Sequence, residues 1–384
     1  MATTTAKKTA KKTAAKKTAA KKTAAKTTSK RTAAKKTAKK TTARAAGGRK
    51  PAKPAGTEQL SEETRLALYR QVVRLRRFEE RAYRLFMDGL VKGTSHLSLG
   101  MEAIAAGVAE AMRDGDRTFC TYRGHAHTLA RGVPMDGVMA ELLGRANGVC
   151  AGKGGSMHLT SVEHGVMGSY AIIGAHLPIA LGSAWSAQLQ GNDEVTVAFF
   201  GDGATNIGAF HEALNLAVVW NLPVVFVCEN NLWMEYTPIS SVTAVEHPAA
   251  DRAAAYGLER IIVDGNDPEA VHLEAKKAID KARAGGGPTM FEAMTYRHGG
   301  HSRADPGTYR PEEEVAEWLA RDPLPTYRKR LLDLGVAESA LDEIEQQAQA
   351  DVDAATEAAK NGPLPDIESA FTDVWADGGS SWRN

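Results

Sequence analysis

From Glu194 to Asn231 the chain reads as strand, helix, strand. "EVTVAFF" (Glu194–Phe200) is apolar and β-branched, and "VVFVCEN" is a second continuous apolar run. Between them, residues 207–220 place Phe210, Leu214, Ala217 and Val218 on one helical face, and Leu222 and Pro223 close the turn. Two strands joined through one helix over this length run parallel, and a parallel sheet needs helices on both faces. The pattern repeats: "GLERIIVDGND" (Gly257–Asp267) is strand then turn, "PEAVHLEAKKAIDKARAG" is a helix ended by Gly285, and "PTMFEAMTYR" is a further strand. Helices are predicted over 62–89, where Leu66, Leu68, Tyr69, Val72, Val73 and Leu75 form a broad stripe, over 101–113, and through most of 328–360. Residues 57–384 are thus expected to form one α/β domain, a parallel sheet flanked by helices.

In open parallel sheets, ligands bind beyond the carboxyl ends of the strands. Gly201, Asp202 and Gly203 follow one strand, and Asn230 and Asn231 end the other. If the strands are near neighbours, Asp202 and Asn231 share a crevice. A carboxylate plus a carboxamide oxygen is a hard-oxygen pair suited to Mg²⁺, completed by phosphate oxygens and water. Gly201 and Gly203 let the backbone approach a diphosphate closely, and the helix that follows turns its positive end the same way. Gly-Asp-Gly alone is often a turn and Asn-Asn a loop. What gives them weight together is two strand ends, one intervening helix and a separation of 29 residues. The glycine-rich stretch Gly144–Pro178 further suggests backbone approached by a ligand or a partner chain.

Charge is segregated along the chain. Residues 1–56 hold 16 Lys, 3 Arg and no acidic residue; the remainder holds 29 basic against 46 acidic residues, a net charge of −17. The tail repeats Lys-Lys-Thr-Ala units without aromatic or large aliphatic residues after Met1, so it cannot bury enough apolar surface to offset ordering entropy and is expected to be disordered. It lacks the apolar core of a secretory signal. Nucleic acid, through counterion release, is one partner such an arm suits; the acidic surface of a partner subunit is another, and a plain solubilising extension is a third reading. Three scattered cysteines, Cys120, Cys150 and Cys228, point to a reducing compartment and away from a thiolate metal site. No apolar run approaches the roughly 18–20 residues that span a bilayer. A soluble, cytoplasmic protein without a membrane partner is expected.

Several further stretches, "TYRGHAHTLARG", "GKGGSMHL", "IIGAHLPIALG" and "YRHGGHSRADPGTYR", occur in one order with the Gly-Asp-Gly and Asn-Asn pair. Together they closely resemble the alpha subunit of the thiamine-diphosphate-dependent 2-oxo acid dehydrogenases, over roughly residues 62–376. The resemblance implies a thiamine-diphosphate-binding fold. It implies Mg²⁺ held by Asp202, Asn231 and the backbone carbonyl of Trp233, where the family often has Tyr. Tyr122 and Arg123 match a pair that contacts the diphosphate, and Gly201, Gly203, Ala204, Arg297 and His301 would complete that pocket. Ile173 matches the residue beneath the aminopyrimidine, near Gly174 and Ala171, the latter replacing a frequent glycine. His96, in "GTSHLSLGMEA", and His301, in "GGHS", match active-site histidines able to shuttle protons near neutral pH. His125 is grouped with Tyr122 and Arg123 by adjacency, while His127, His158, His164 and His176 are read as structural. Ser302 matches a serine phosphorylated in some members and is read as a loop serine.

The family's glutamate against the pyrimidine ring comes from a separate beta subunit. Glu102 and Glu229 are the positions here to test against that expectation. The resemblance therefore implies an α2β2 heterotetramer with the coenzyme at the α–β interface, served by a lipoyl acyltransferase and a dihydrolipoyl dehydrogenase. The implied reaction is oxidative decarboxylation of a 2-oxo acid with acyl transfer to a lipoyl group. Pyruvate is the first expectation, acetoin the near alternative and branched-chain 2-oxo acids the third. Two other classes stand against it. A nucleic-acid-associated protein with a degenerate enzyme body is disfavoured by the joint retention of Asp202, Asn231, Tyr122 and Arg123. A single-chain transketolase-type enzyme would need a pyrimidine domain for which the chain is too short.

Overall fold

The structure, a computed structural model, describes residues 60–373. The basic tail over 1–56 and its expected disorder lie outside the described residues. In chain order the elements are α1 (Glu62–Met87), α2 (Glu102–Ala111), β1 (Arg117–Thr121), α3 (His125–Ala130), α4 (Met135–Leu142), β2 (Val166–Tyr170), α5 (His176–Gln190), β3 (Thr196–Gly201), α6 (Gly208–Val219), β4 (Val224–Asn230), α7 (Ala250–Ala253), β5 (Ile261–Asp264), α8 (Pro268–Arg283), β6 (Thr289–Met294), α9 (Glu312–Leu319), α10 (Pro323–Asp333) and α11 (Glu338–Lys360). The predicted strand–helix–strand appears as β3, α6 and β4, within a residue or two of the expected ends.

The sheet is parallel throughout, in the order β2-β1-β3-β4-β6-β5. Its faces alternate along each strand. Ala198 and Phe200 of β3 pack with Leu177, Ala180 and Ala184 of α5 and with Phe210 and Leu214 of α6. Val197 and Phe199 turn to the other side, against Ile104 and Val108 of α2 and Val271 and Ala275 of α8. On that second side α1 packs over α2, and α10 and α11 pack over α1. β1 is followed outward by β2 on one side, yet β3 lies on its other side. The chain thus reverses its direction of travel between β1 and β3, which is where a parallel sheet opens a crevice for a ligand.

The glycine-rich stretch is less irregular than its composition suggests, since it contains β2 and leads into α5. Its first part is wound around one acid. Glu141, fully buried, accepts from the backbone N–H of Cys150 (2.8 Å), Gly152 (2.8 Å), Gly154 (2.7 Å) and Gly155 (3.0 Å). Gly152 and Gly155 have φ of +77° and +62°, and a Cβ on Gly148 would lie 2.4 Å from Glu141 Oε2. Glycine is therefore required here by conformation and by space.

Removing this carboxylate leaves four partly buried N–H groups without a partner. Glu141→Ala is expected to lower stability by about 3 kcal/mol or more. Glu141→Gln should recover little, because donors face both oxygens and a carboxamide offers only one. The urea midpoints of the three proteins check this.

Candidate functional site

The ends of β1, β3, β4 and β6 surround a cavity of about 420 Å³. Tyr122 and Arg123 reach it directly after β1. Gly201, Asp202, Gly203 and Ala204 do so at the tip of β3, where a short 3-10 turn over Asp202–Asn206 precedes α6. Asn231 and Trp233 follow β4, and Arg297 and His301 follow β6. Ile173 forms part of the wall ahead of α5. Thus most residues singled out in the sequence converge on one crevice. His96 stands one layer behind the wall, its ring 4.2 Å from that of Tyr122 and 5.0 Å from that of His301. Ala171 lies just before Ile173 but outside the lining.

Charge in this cavity is out of balance. Arg123 is buried and donates to the carbonyls of Leu97 (2.5 Å) and His301 (2.9 Å). Arg297, also buried, donates to the carbonyls of Gly299 and Met234 and to the Tyr309 hydroxyl. Among the described residues neither guanidinium has a carboxylate within ion-pair distance. Burial pulls the Arg123 guanidinium down to about 10, and Arg297 adds repulsion. Burial likewise lowers Arg297. Opposite them Asp202 is only 2% exposed and its Oδ2 has no hydrogen-bond partner. Burial pushes its carboxyl up to about 7, against the pull of the Gly203 N–H and the charge of Arg297. Buried charges left without partners are costly, and such sites serve a ligand or metal that completes them. The missing group must bring negative charge to the arginines and positive charge to Asp202.

The β4 tip is sharply bent. Asn230 Nδ2 donates to Glu292 Oε1 at 2.5 Å, and its Oδ1 accepts from Leu232 N at 3.0 Å. Leu232 has φ of +69°, a conformation uncommon outside glycine. Asn231 Oδ1 accepts from Trp233 N at 3.2 Å, and the Trp233 indole donates to Glu314 at 2.5 Å.

Two histidines are held neutral. Burial, then the charge of Arg123, drives His301 down to about 4 and His96 to about 2, with His301 also acting on His96. The Nδ1 atoms of both are buried without partners. His125 belongs elsewhere: α3 turns it away from the cavity, its Nδ1 bonds Glu79 at 2.9 Å, and its Nε2 meets the Ser156 hydroxyl at 2.8 Å. Glu102 is gripped by Arg76 at 2.5 and 3.0 Å and accepts from Gly100 N. Glu229 does line the cavity, but its carboxylate is paired with His127 at 3.3 Å. Met101, Thr121, Asn206, Ile207, Met234 and Glu235 also line it without having been singled out. Thr121 opens the stretch "TYRGHAHTLARG" and Met101 lies in "GTSHLSLGMEA", so membership of a recognised stretch was their signal.

The crevice at the carboxyl edge of this parallel sheet holds two buried guanidiniums without an ion-pair partner among the described residues and a buried carboxylate with a free oxygen, an arrangement suited to a charged ligand. The chain matches the dehydrogenase E1 component family over residues 70–368. It is 43% identical over 317 residues to the alpha subunit of acetoin:2,6-dichlorophenolindophenol oxidoreductase of Bacillus subtilis (strain 168), covering 82% of this chain and 95% of that one. It is 39% identical over 331 residues to the pyruvate dehydrogenase E1 component subunit alpha of Rhizobium meliloti (strain 1021), covering 85% and 95%. The acetoin-named alpha subunit of Cupriavidus necator is 42% identical over 318 residues, covering 82% and 95%. The chain belongs to the thiamine-diphosphate-dependent dehydrogenase E1 component family, among its alpha subunits.

The neutral histidines carry a pH signature. Unfolded, each imidazole returns to about 6.5. Below that value the unfolded chain binds protons that the native one refuses, so stability falls as pH drops towards 4. Asp202, raised rather than lowered, acts in the opposite direction. A lower urea midpoint at pH 5 than at pH 7.5 is expected, and the double substitution His96→Asn, His301→Asn should shrink the difference. An undiminished difference in the double variant would assign the response to other groups.

Proposed function

We propose that this chain binds thiamine diphosphate with Mg²⁺ in the cavity and acts, with a beta subunit, in oxidative decarboxylation of a 2-oxo acid and acyl transfer to a lipoyl group. The observation that carries the reading is the pair of buried, unpaired guanidiniums facing a buried carboxylate with a free oxygen. A diphosphate with a divalent ion supplies the two charges that this arrangement lacks. Among the described residues there is no group of three or more His, Cys, Asp and Glu side chains able to hold a metal by themselves. Mg²⁺ does not require one, since it takes one or two carboxylates together with phosphate oxygens and water.

In this reading Asp202, Asn231 and the Trp233 carbonyl hold the ion. Arg123, Arg297, Tyr122 and the backbone at Gly201, Gly203 and Ala204 bind the diphosphate, with His301 at its edge. Forked guanidiniums suit phosphate oxygens. A side chain on Gly203 would meet Met234 at 3.0 Å, so the residue keeps that approach open. Ile173 supports the ring system, with Ala171 behind it. His96 and His301, neutral at pH 7, offer free imidazole nitrogens for hydrogen bonds to substrate or coenzyme. Thiamine diphosphate, when bound, supplies the nucleophilic carbon and the electron sink for loss of carbon dioxide. With Glu102 held by Arg76 and Glu229 by His127, the carboxylate that faces the coenzyme's pyrimidine is assigned to the beta subunit, in an α2β2 assembly. A lipoyl acyltransferase and a dihydrolipoyl dehydrogenase follow as partners. Pyruvate is the favoured substrate. Acetoin is the second reading, supported by identities of 43% and 42% to acetoin-named relatives against 39% and 40% to pyruvate-named ones. The cytoplasm is the proposed compartment; no described helix is long and apolar enough to cross a membrane.

Calorimetry on the assembly of this chain with its beta subunit tests the site. Uptake of thiamine diphosphate should require Mg²⁺. Arg123→Ala should weaken it about 100-fold, the scale of a buried charge-assisted contact. Asp202→Asn should abolish the dependence on metal. Turnover of pyruvate, acetoin and branched-chain 2-oxo acids with an artificial electron acceptor ranks the substrates, and no turnover on any of them would refute the assignment.

A further inference from the structure

β6, "TMFEAM", carries a single ionisable side chain, Glu292, and it is completely buried. A carboxylate in such a place is costly unless its oxygens are hydrogen-bonded, so its partners show what the fold uses it for. All three hydrogen-bond partners lie outside β6. Cys228 of β4 stands opposite Glu292, so Asn230, two residues on, faces the same side of the sheet. Glu292 Oε1 accepts from Asn230 Nδ2 at 2.5 Å. Its Oε2 accepts from the backbone N–H of Ala249 at 2.9 Å and of Ala250 at 2.8 Å. His247 Nδ1 lies 3.8 Å from Oε1.

These contacts close a loop. Residues 231–249 leave the end of β4 and finish where α7 begins, so one carboxylate holds both ends, and Asn231, Trp233, Met234 and Glu235 between them line the cavity. At the first end Asn230, fixed through its Nδ2, accepts from Leu232 N at its Oδ1 and so holds the left-handed bend beside Asn231. At the second end α7 carries Arg252, whose guanidinium donates to the Thr205 carbonyl at 2.7 Å and to Asn206 Oδ1 at 2.8 Å. The Thr205 hydroxyl donates in turn to the Asp202 carbonyl at 2.7 Å. The tips of β3 and β4 are thus tied back to the same buried group, which lies two strands from β3.

Resting on the metal and coenzyme reading above, we propose that Glu292 is a positioning residue that sets Asp202 and Asn231 relative to each other. It anchors the β4 tip through Asn230 and the β3 tip through Ala249, Ala250 and Arg252. The role needs an acceptor at each oxygen. A carboxamide at 292 keeps its oxygen on the two backbone N–H groups but turns its own N–H against Asn230 Nδ2, donor against donor. Glu292→Gln therefore cuts the β4 branch and spares the other, whereas Arg252→Met cuts the β3 branch.

Hydrogen exchange read by peptide mass, on the coenzyme-free assembly of the full chain with its beta subunit, tests each branch. Glu292→Gln should speed exchange in residues 231–239 about tenfold, and Arg252→Met that in 203–210, the scale of a lost buried hydrogen bond. Each should raise the Mg²⁺ concentration for half-maximal uptake of thiamine diphosphate about tenfold as well. A carboxylate that only stabilised the fold would lower the thermal midpoint without moving that concentration. The double substitution Glu292→Gln, Asn230→Asp exchanges donor for acceptor at the same total charge. The amide at 292 then donates to the carboxylate at 230, whose other oxygen still accepts from Leu232 N. Both readings should return to within about threefold of the wild type. Unchanged exchange in 231–239, an unmoved Mg²⁺ requirement, or a double variant no better than Glu292→Gln would each overturn the proposal. If Glu292→Gln fails to assemble, Asn230→Asp alone, which sets carboxylate against carboxylate, is read in the same way. A wild-type assembly that takes up no thiamine diphosphate would instead sink the coenzyme reading, and exchange in 231–239 would still decide the anchor.

Discussion

Parallel pairing in one register is the constraint from which the rest follows. Gly201 lies opposite Glu229 across β3 and β4, and Phe119 opposite Ala198 across β1 and β3. Continued one or two residues past the strand ends, these alignments bring the loops carrying Arg123, Asp202 and Asn231 to the same edge. No other arrangement of these segments gathers groups so distant in sequence without long connections. Because the reversal of strand order falls between β1 and β3, the loops at that edge diverge to opposite faces and leave room between them.

Into that room the chain puts charges that it does not neutralise. Elsewhere it balances buried ions closely. Arg76 is matched by Glu102 and Asp322, Asp116 by Arg283, and Glu141 by four backbone N–H groups. Arg123, Arg297 and Asp202, at the cavity, depart from that pattern. Buried charge left unmatched around one cavity marks a candidate binding site.

The sheet and the loops carrying Asp202 and Asn231 were readable in the sequence because apolar runs of five to seven residues end in Gly-Asp-Gly and Asn-Asn. β1, "RTFCT", and α3, "HAHTLA", were not, since each is short, uncapped and without a distinctive period. The grouping of His125 with Tyr122 and Arg123 shows the limit of adjacency. At the first residue of a helix, two positions past Arg123, the side chain has swung away from its neighbours, and His125 meets Glu79 and Ser156 instead. Those partners lie 46 and 31 residues away, a separation that no local pattern encodes. The balance of buried charge was equally hidden, because it depends on which carboxylates fold back onto which arginines.

Leu232 sits between Asn231 and Trp233 in a left-handed conformation that a leucine adopts only at a cost of roughly 1–3 kcal/mol. A glycine would relieve that cost but would let the tip sample many shapes. With leucine, clasped by the Asn230 side chain, the bend is fixed before any ligand arrives. The entropy of shaping the β4 tip is thereby lost during folding, so anything that binds at this edge meets a preformed loop and the tightness of binding is set by contacts instead of by loop closure.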